Sequence, residues 1–230
     1  MVIPLISETE WMPMIEAAVP WELHPYGSAW VIAPHPDDET LAVGGTLARL
    51  AQSGIDVAVI AVTDGENAYQ RNDGLATIRI SEQQSALARL GIGPERIHRL
   101  GFSDSGVSDH EDSLRSAFCE LINPGSLVLA PWTSDFHPDH EVCGRAAQEA
   151  CKRLGADCVF YFFWTWNRGR PEQLERTRLR KILLSPQERE AKLEALHAHR
   201  SQLTSCGAEP PILPENLLWP ARMEWEVYLP

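Results

Sequence analysis

Residues 29–39 read AWVIAPHPDDE, a short apolar run followed directly by a polar cluster. The run Ala29–Ala33 is typical of a buried strand, and Glu39–Gln52 places its leucines on about one helical face before Gly54 ends the pattern. Ile55–Val62 is a second, nearly continuous apolar run, which is typical of a parallel strand covered on both faces. This part of the chain therefore predicts a strand–helix–strand unit.

The same alternation continues through the rest of the sequence. We predict helices at Ala76–Leu90, Ser113–Ile122, Pro138–Leu154 and Pro186–Gln202, and strands at Arg96–Leu100, Leu127–Ala130, Cys158–Trp164 and Glu224–Leu229. Arg176–Leu184 alternates charged and apolar residues, which favours a half-exposed, antiparallel edge strand. Strands that alternate with helices indicate an α/β, Rossmann-like, doubly wound and mostly parallel sheet with helices on both faces.

Length and composition fit one domain. The chain has 230 residues, of which 44% are hydrophobic and 23% charged, and no linker divides it. We expect residues 29–230 to form that domain and residues 1–28, rich in Trp and Pro, to be an N-terminal extension packed on it. The net charge of −12 disfavours binding to nucleic acids and anionic membranes.

Location and assembly are also constrained by composition. The N-terminus lacks the basic segment of a signal peptide, and no apolar run approaches the ~18 residues of a membrane span. Five cysteines without a C-x-x-C pair fit structural thiols in a reducing compartment, so we expect a cytoplasmic protein. Aromatic residues outside the motifs fit core packing, a homo-oligomer interface or stacking on sugar rings.

Two polar clusters, residues 34–39 and 135–140, each follow a predicted strand. In doubly wound sheets, ligands bind beyond the carboxyl ends of the strands. Imidazoles and carboxylates are what a catalytic zinc site needs, since it takes three protein ligands and leaves one position open. His137 and His140 lie one helical turn apart, and the adjacent Asp37 and Asp38 point in different directions. Each cluster alone fits an ordinary polar loop, but the pair favours a metal centre.

The motifs Pro-His-Pro-Asp-Asp-Glu at 34–39 and His-Pro-Asp-His at 137–140 resemble the paired signatures of the PIG-L/LmbE-like family. Members of that family are metal-dependent deacetylases that act on N-acetylglucosamine-containing substrates. Weaker matches follow in the family's order, at Thr63–Glu66, at Arg79-x-x-Glu82 and from Lys192 to Gln202. The resemblance spans roughly residues 29–203.

The resemblance implies a metal-binding triad of two histidines and one aspartate, namely His35, Asp38 and His140. It further implies that Asp37 is the general base and that His137 polarises or protonates the tetrahedral intermediate, with Asp139 orienting His137. The ion is expected to be Zn²⁺, although two histidines and a carboxylate also suit Fe²⁺. An imidazolium at His137 would stabilise an oxyanion, and either Asp37 or His137 could protonate the leaving amine.

Four further residues are candidates for contacts with substrate. Arg79 could bind sugar hydroxyls or a phosphate, or be a solvated helix residue. Asp64 and Glu66 end a strand at the same sheet edge and could equally cap a turn. His199 could line the cleft or cover a helix surface.

The expected function is a hydrolase that removes acetyl from a small amino sugar or glycoconjugate by attack of a zinc-bound water. Three alternatives stay open: an amidase on a larger acyl or thiol-conjugate substrate, a glycosyltransferase that holds Mn²⁺ and a nucleotide sugar, and a non-catalytic sugar-binding protein. Gly101–Gly106 resembles a nucleophile elbow but lacks its second glycine, so we interpret it as a polar loop at the cleft rim. No nucleotide-phosphate fingerprint occurs.

Overall fold

The computed structural model describes residues 4–24, 26–69, 74–174, 178–207 and 209–230. Its strands are β1 Val19–Pro20, β2 Ser28–Ala33, β3 Asp56–Thr63, β4 Ile97–Phe102, β5 Leu127–Pro131, β6 Asp157–Tyr161, β7 Arg180–Leu183 and β8 Trp225–Leu229. Its helices are α1 Glu8–Ala17, α2 Asp38–Gln52, α3 Leu75–Arg89, α4 Glu111–Leu121, α5 Pro138–Leu154, α6 Trp164–Arg168, α7 Pro186–Leu196 and α8 Arg200–Leu203. No helix in these ranges is long and apolar enough to cross a membrane.

The strands form one sheet in the order β1-β7-β8-β6-β5-β2-β3-β4. β8 is antiparallel to both of its neighbours, and the other neighbouring pairs are parallel. The predicted α/β fold, mostly parallel with antiparallel pairing towards one edge, is therefore confirmed. From β2 the chain proceeds to β3 and β4 on one side, whereas β5 and β6 lie on the other. The loops that follow β2 and β5 consequently meet at the switch point of the sheet.

The core lies on both faces of the sheet because side chains alternate along each strand. Val31 and Ala33 of β2 pack in one apolar cluster with residues of α2, α3 and α7. Trp30 and Ile32 pack in a second cluster with residues of α4 and α5. Burial on both sides explains why β2 and its neighbours have continuous apolar sequences.

Three predicted elements differ from the structure. β6 ends at Tyr161 rather than at Trp164, because the Asp135 carboxylate accepts the backbone N–H groups of the next turn and α6 begins there. The predicted helix Pro186–Gln202 stops at Leu196, and a separate turn, α8, follows. β7 pairs antiparallel with β8 as predicted, but β1 lies outside it, so β7 is not the edge. The first two residues of the predicted strand, 176 and 177, lie outside the described residues.

The N-terminal segment packs closely on the rest of the chain. Trp11 and Ile15 of α1 are fully buried, in an apolar cluster with Phe162 and Trp166. The Trp11 indole donates a hydrogen bond of 3.1 Å to the carbonyl of Trp166. Through β1 the segment also adds a short parallel strand to β7.

Candidate metal centre and cleft

The two polar clusters meet where the loops after β2 and β5 converge. The first loop is held to β3, since the Thr63 hydroxyl donates to the Pro34 carbonyl at 2.8 Å. The second loop ends in α5, which has Pro138 as its first residue, a position that proline favours. The His35 ring centroid lies 4.9 Å from that of His137 and 5.5 Å from that of His140. Loops that are about a hundred residues apart in sequence thus share one site.

His35, Asp38 and His140 are brought together around one carboxylate oxygen. Asp38 Oδ2 lies 3.2 Å from His35 Nδ1 and 3.2 Å from His140 Nε2. These separations match the edge of a tetrahedron with metal–ligand bonds of 2.0–2.1 Å, which is about 3.3 Å. His140 Nε2 is buried, and its contact with Asp38 Oδ2 lacks the geometry of a hydrogen bond. The three side chains therefore fit a divalent cation.

Asp135 fixes the orientation of His140. Its Oδ2 lies 2.9 Å from His140 Nδ1, so Nε2 is the nitrogen left to face Asp38. Asp135 is fully buried and also accepts bonds from the backbone of α6 and from the Thr165 hydroxyl. Burial opposes the charged form of His140, but Asp38 and Asp135 outweigh it and raise the pKa of His140 to about 9. No role was predicted for Asp135 from the sequence, although it stands in the second cluster.

Asp37 stands beside the triad, held by Arg79. The Arg79 guanidinium donates to Asp37 Oδ2 at 3.1 Å and to the carbonyls of Pro36 and Gly65. Burial raises the pKa of Asp37 to about 7, although Arg79 opposes the shift. Arg79 lines the cleft, but its guanidinium is engaged with the protein. Arg79 therefore contacts the loop and Asp37, and it is not the solvated helix residue that the sequence also allowed.

Backbone strain is concentrated at the cleft. In the described part of the chain, the non-glycine residues with positive φ are Asp37 at 144°, Ser105 at 64° and Phe136 at 58°. Each lies within or next to a loop of the site. Such conformations cost on the order of 1–3 kcal/mol each and persist where the surrounding structure imposes them.

His137 and Asp139 differ from our expectations. Burial and the neighbouring His140 and His35 lower the pKa of His137 to about 3, so the ring is neutral rather than an imidazolium. Its Nδ1 accepts the backbone N–H of Asp139 at 3.3 Å, which leaves the proton of the neutral ring on Nε2. The Asp139 carboxylate does not orient His137 by a hydrogen bond. Its Oδ2 lies 3.2 Å from His35 Nε2 and accepts the Ser105 N–H.

Three proposed substrate contacts are used within the protein. Asp64 pairs with Arg99 at 2.9 Å, and Glu66 accepts the Asp104 backbone N–H at 2.9 Å. His199 is 1% exposed, and its Nε2 lies 3.1 Å from the Thr40 hydroxyl. Burial lowers the pKa of His199 to about 3, so this ring is neutral. None of the three side chains lines the cleft, because each is directed into a neighbouring element.

The cleft has a volume of about 230 Å³. Its lining joins the predicted site residues to residues from four other segments: Asn67, Ala68, Asp104, Ser105, Phe163, Trp164, Ile212 and Leu213. Asp104 and Ser105 belong to the loop Gly101–Gly106 that was interpreted as part of the cleft rim, whereas the other six residues were not predicted because they carry no recognisable motif. One signal was available for Asp104, since its loop follows a predicted strand and must end at the same sheet edge.

The fold and the site define a doubly wound α/β protein with a His–Asp–His centre at its switch point. The family model described as "PIG-L: GlcNAc-PI de-N-acetylase" matches residues 30–151, and the chain belongs to this family. Both loops of the centre lie within the matched residues.

Two curated relatives carry deacetylase names. The chain is 33% identical over 135 residues to diacetylchitobiose deacetylase of Thermococcus kodakarensis, a match covering 54% of this chain and 49% of that protein. It is 29% identical over 190 residues to probable N-acetyl-alpha-D-glucosaminyl L-malate deacetylase 2 of Bacillus cereus, covering 75% of this chain and 82% of that protein. The chain thus spans about half of the first relative and most of the second.

A solved structure shows the same fold. The deacetylase of the teicoplanin biosynthesis pathway, in its bog complex, is similar with a TM-score of 0.69. The likeness covers 88% of this chain and 97% of that one at 21% identity. At 21% identity this likeness shows a shared fold, that is, the same arrangement of sheet and helices.

Proposed function

We propose that this protein is a metal-dependent hydrolase that removes the acetyl group from an N-acetylated amino sugar or glycoconjugate. The observation that carries the proposal is the carboxylate of Asp37, held by Arg79 outside the triad that fits a divalent cation, in one cleft. Family membership and the names of the two curated relatives support the same chemistry.

Zn²⁺ is the ion we propose, held by His35, Asp38 and His140. The donor set of two imidazoles and one carboxylate leaves a position open, as catalytic zinc sites do. When bound there, zinc would polarise a carbonyl and lower the pKa of water to about 7. Fe²⁺ suits the same donors and is the alternative that metal analysis must separate from zinc.

Asp37 is suited to move a proton. A general base works best when its pKa lies near the working pH, and burial raises the pKa of Asp37 to about 7. Arg79 holds the carboxylate at 3.1 Å and fixes the preceding backbone carbonyl, so the base is positioned without being free to rotate. A carboxylate with these properties can accept a proton from water and return it to a leaving amine.

His137 supplies a hydrogen bond rather than a positive charge. Because its Nδ1 accepts the Asp139 N–H, the neutral ring can donate from Nε2. A donor preorganised in a cleft stabilises negative charge that develops on a carbonyl oxygen. This assigns oxyanion stabilisation to His137 and proton transfer to Asp37.

The cleft is shaped for a small polar group. Its volume of about 230 Å³ suits an acetamido group and part of one sugar ring rather than a long acyl chain. Trp164 and Leu213 add apolar surface to its lining. The remainder of a larger glycoconjugate would extend outside.

Acetate release is the test of this proposal. Protein loaded with zinc, or with Fe²⁺ under anaerobic conditions, is assayed on N-acetylglucosamine, N,N'-diacetylchitobiose and GlcNAc conjugates of malate and inositol. We expect acetate from at least one of them, and no release after chelation. Protein that binds one metal ion per chain yet releases no acetate from any of these would contradict the proposed function.

Two variants separate catalysis from metal binding. Asp37→Asn should keep the metal and lower kcat by about 10²–10⁴-fold, because the base is lost while the shape is retained. His140→Ala should lose the metal itself. Asp109 is an exposed residue of the short 3-10 helix Val107–His110, and Asp109→Asn is the matched control, which should behave as the unmodified protein. Normal turnover by Asp37→Asn would remove Asp37 from the mechanism.

A further inference from the structure

The loop Ser103–Gly106 places a carboxylate, that of Asp104, next to the metal centre. It is part of the segment Gly101–Gly106, which resembles a nucleophile elbow but lacks its second glycine. Asp104 follows β4 and is 6% exposed. Its Oδ1 lies 3.3 Å from His35 Nε2. The proposed mechanism uses neither Asp104 nor this contact.

Asp104 is held in place from several directions. Its backbone N–H donates to Glu66 Oε1 at 2.9 Å, and its Oδ2 accepts the Asn67 N–H at 3.1 Å. The Asn67 side chain donates to the Asp104 carbonyl at 2.8 Å. The next residue, Ser105, has a φ of 64° and donates its N–H to Asp139 Oδ2 at 2.8 Å. The loop is therefore bound both to the segment after β3 and to α5.

The two nitrogens of His35 face different groups. Nδ1 lies 3.2 Å from Asp38 Oδ2, the oxygen that also faces His140. Nε2 points the other way, to Asp104 at 3.3 Å and Asp139 at 3.2 Å. A ligating histidine usually donates its second N–H to a carboxylate, which fixes the ring and strengthens the bond to the metal.

We propose that Asp104 is a positioning residue for the metal centre: together with Asp139, which is hydrogen-bonded to His35 Nε2 at 3.2 Å, it shares the Nε2–H of His35 and so directs His35 Nδ1 to the ion. This inference rests on the metal site of the proposed function. It goes beyond that function by assigning the ligand atom of His35 and a role for the loop after β4. Asp135 positions His140 in the same way, but there the carboxylate contacts Nδ1, and Nε2 is the nitrogen that faces the metal site.

Asp104 and Asp139 have separable contributions. Asp139 Oδ2 also accepts the Ser105 N–H, so its charge is shared with the backbone. Asp104 Oδ1 has the Ser105 hydroxyl at 3.2 Å as its other close partner. Because Asp139 also lies in the first turn of α5, next to His140, its replacement would disturb both ligands. Asp104 is the cleaner position for a test.

Zinc affinity, measured by competition with a chromogenic chelator, gives a readout that does not depend on activity. We expect Asp104→Ala to weaken zinc binding by about 10- to 100-fold. Asp104→Asn, whose amide oxygen can still accept the Nε2–H, should recover part of that loss. Asp109→Asn is the control for removing a nearby acid and should bind zinc as the unmodified protein does. Equal affinity in Asp104→Ala and the control would overturn the proposal.

The ligand atom is tested by long-range ¹H–¹⁵N spectra of the zinc-loaded protein with labelled histidine. We expect His35 to show a metal-bound Nδ1 and a protonated Nε2. A zinc-bound Nε2 would refute the assignment even if Asp104→Ala fails to fold. The proposed function fails separately, when a protein with the expected spectrum and affinity releases no acetate.

Discussion

Gly144→Ala tests whether the packing of α5 sets the geometry of the metal centre. Gly144 lies one turn after His140 on the same helix face. A Cβ at this position would lie 2.4 Å from the Pro131 carbonyl oxygen and 3.1 Å from the Thr133 nitrogen. Both are backbone atoms at the end of β5, so neither can rotate away. The helix itself must move.

The size of the effect follows from these distances. Ordinary van der Waals contact begins near 3.4 Å, so α5 must withdraw by about 1 Å from the Pro131 oxygen. Overpacking of this kind lowers the free energy of unfolding by up to about 3 kcal/mol, while the higher helix propensity of alanine raises it by about 1 kcal/mol. We expect a net loss of about 2 kcal/mol. For a chain of this length that lowers Tm by about 4–8 °C.

The same movement should reach the site. Metal ligands must stay within about 0.2 Å of their proper distances, and a displacement of about 1 Å near the chemistry can cost 10²-fold in rate. Gly144→Ala should therefore bind zinc more weakly than the unmodified protein, and its kcat/KM should fall on the order of 10²-fold. Thermal unfolding by circular dichroism and chelator competition measure the two effects.

Gly45→Ala is the matched control within α2. Its Cβ would also come close to another group, at 2.4 Å, but that group is the terminal methyl of Leu184, a side chain that can change rotamer. We expect a smaller loss of stability and unchanged zinc affinity. If the two variants lose stability equally, or if Gly144→Ala keeps full zinc affinity, the argument from backbone contact is wrong.

Two further predictions concern stability. Lys192→Met leaves the buried Glu226 without the ammonium that now lies 2.6 Å from its Oε1, so urea unfolding should show a free energy of unfolding lower by about 3–5 kcal/mol. The double variant Lys192→Met/Glu226→Gln should lose less stability than the two single variants together. Strict additivity would count against a direct interaction. Removal of the metal by a chelator should lower Tm, since an ion present at about 100 times its Kd stabilises the folded state by about 2.7 kcal/mol. Restored zinc should return the lost stability, whereas an identical Tm with and without metal would argue against a folded-state site.

The sequence predicted what depends on local pattern. Strands buried on both faces must be apolar throughout, so Ala29–Ala33 and Leu127–Ala130 could be located from composition alone. Parallel strands place their carboxyl ends at one edge, so the polar loops that follow them had to be neighbours. That reasoning was sufficient to bring His35 and His140 to one site without any contact information.

The sequence could not predict what depends on distant partners. β6 stops at Tyr161 because of Asp135, which lies 28 residues before Phe163 in the chain and belongs to another loop. The sequence left Arg79 between a substrate contact and a solvated helix residue, yet it is 3% exposed and spans from α3 to Asp37. Asp104 stands in a loop that matches no motif. In each case the role is created by a tertiary contact, and no local periodicity reports it.

The charge balance of the cleft explains why a cation fits there. In the described part of the chain, the guanidinium of Arg79 faces an excess of buried acidic side chains, among them Asp37, Asp38, Asp104, Asp135 and Asp139. Without a metal, this excess of negative charge is relieved by protons. Asp38 and Asp135 raise the pKa of His140 against the effect of burial, and burial keeps Asp37 partly protonated near neutral pH. A divalent cation would replace these protons with two positive charges placed between the imidazoles. The strained backbone of these loops and their crowded acids therefore support the proposal that the site binds a divalent cation.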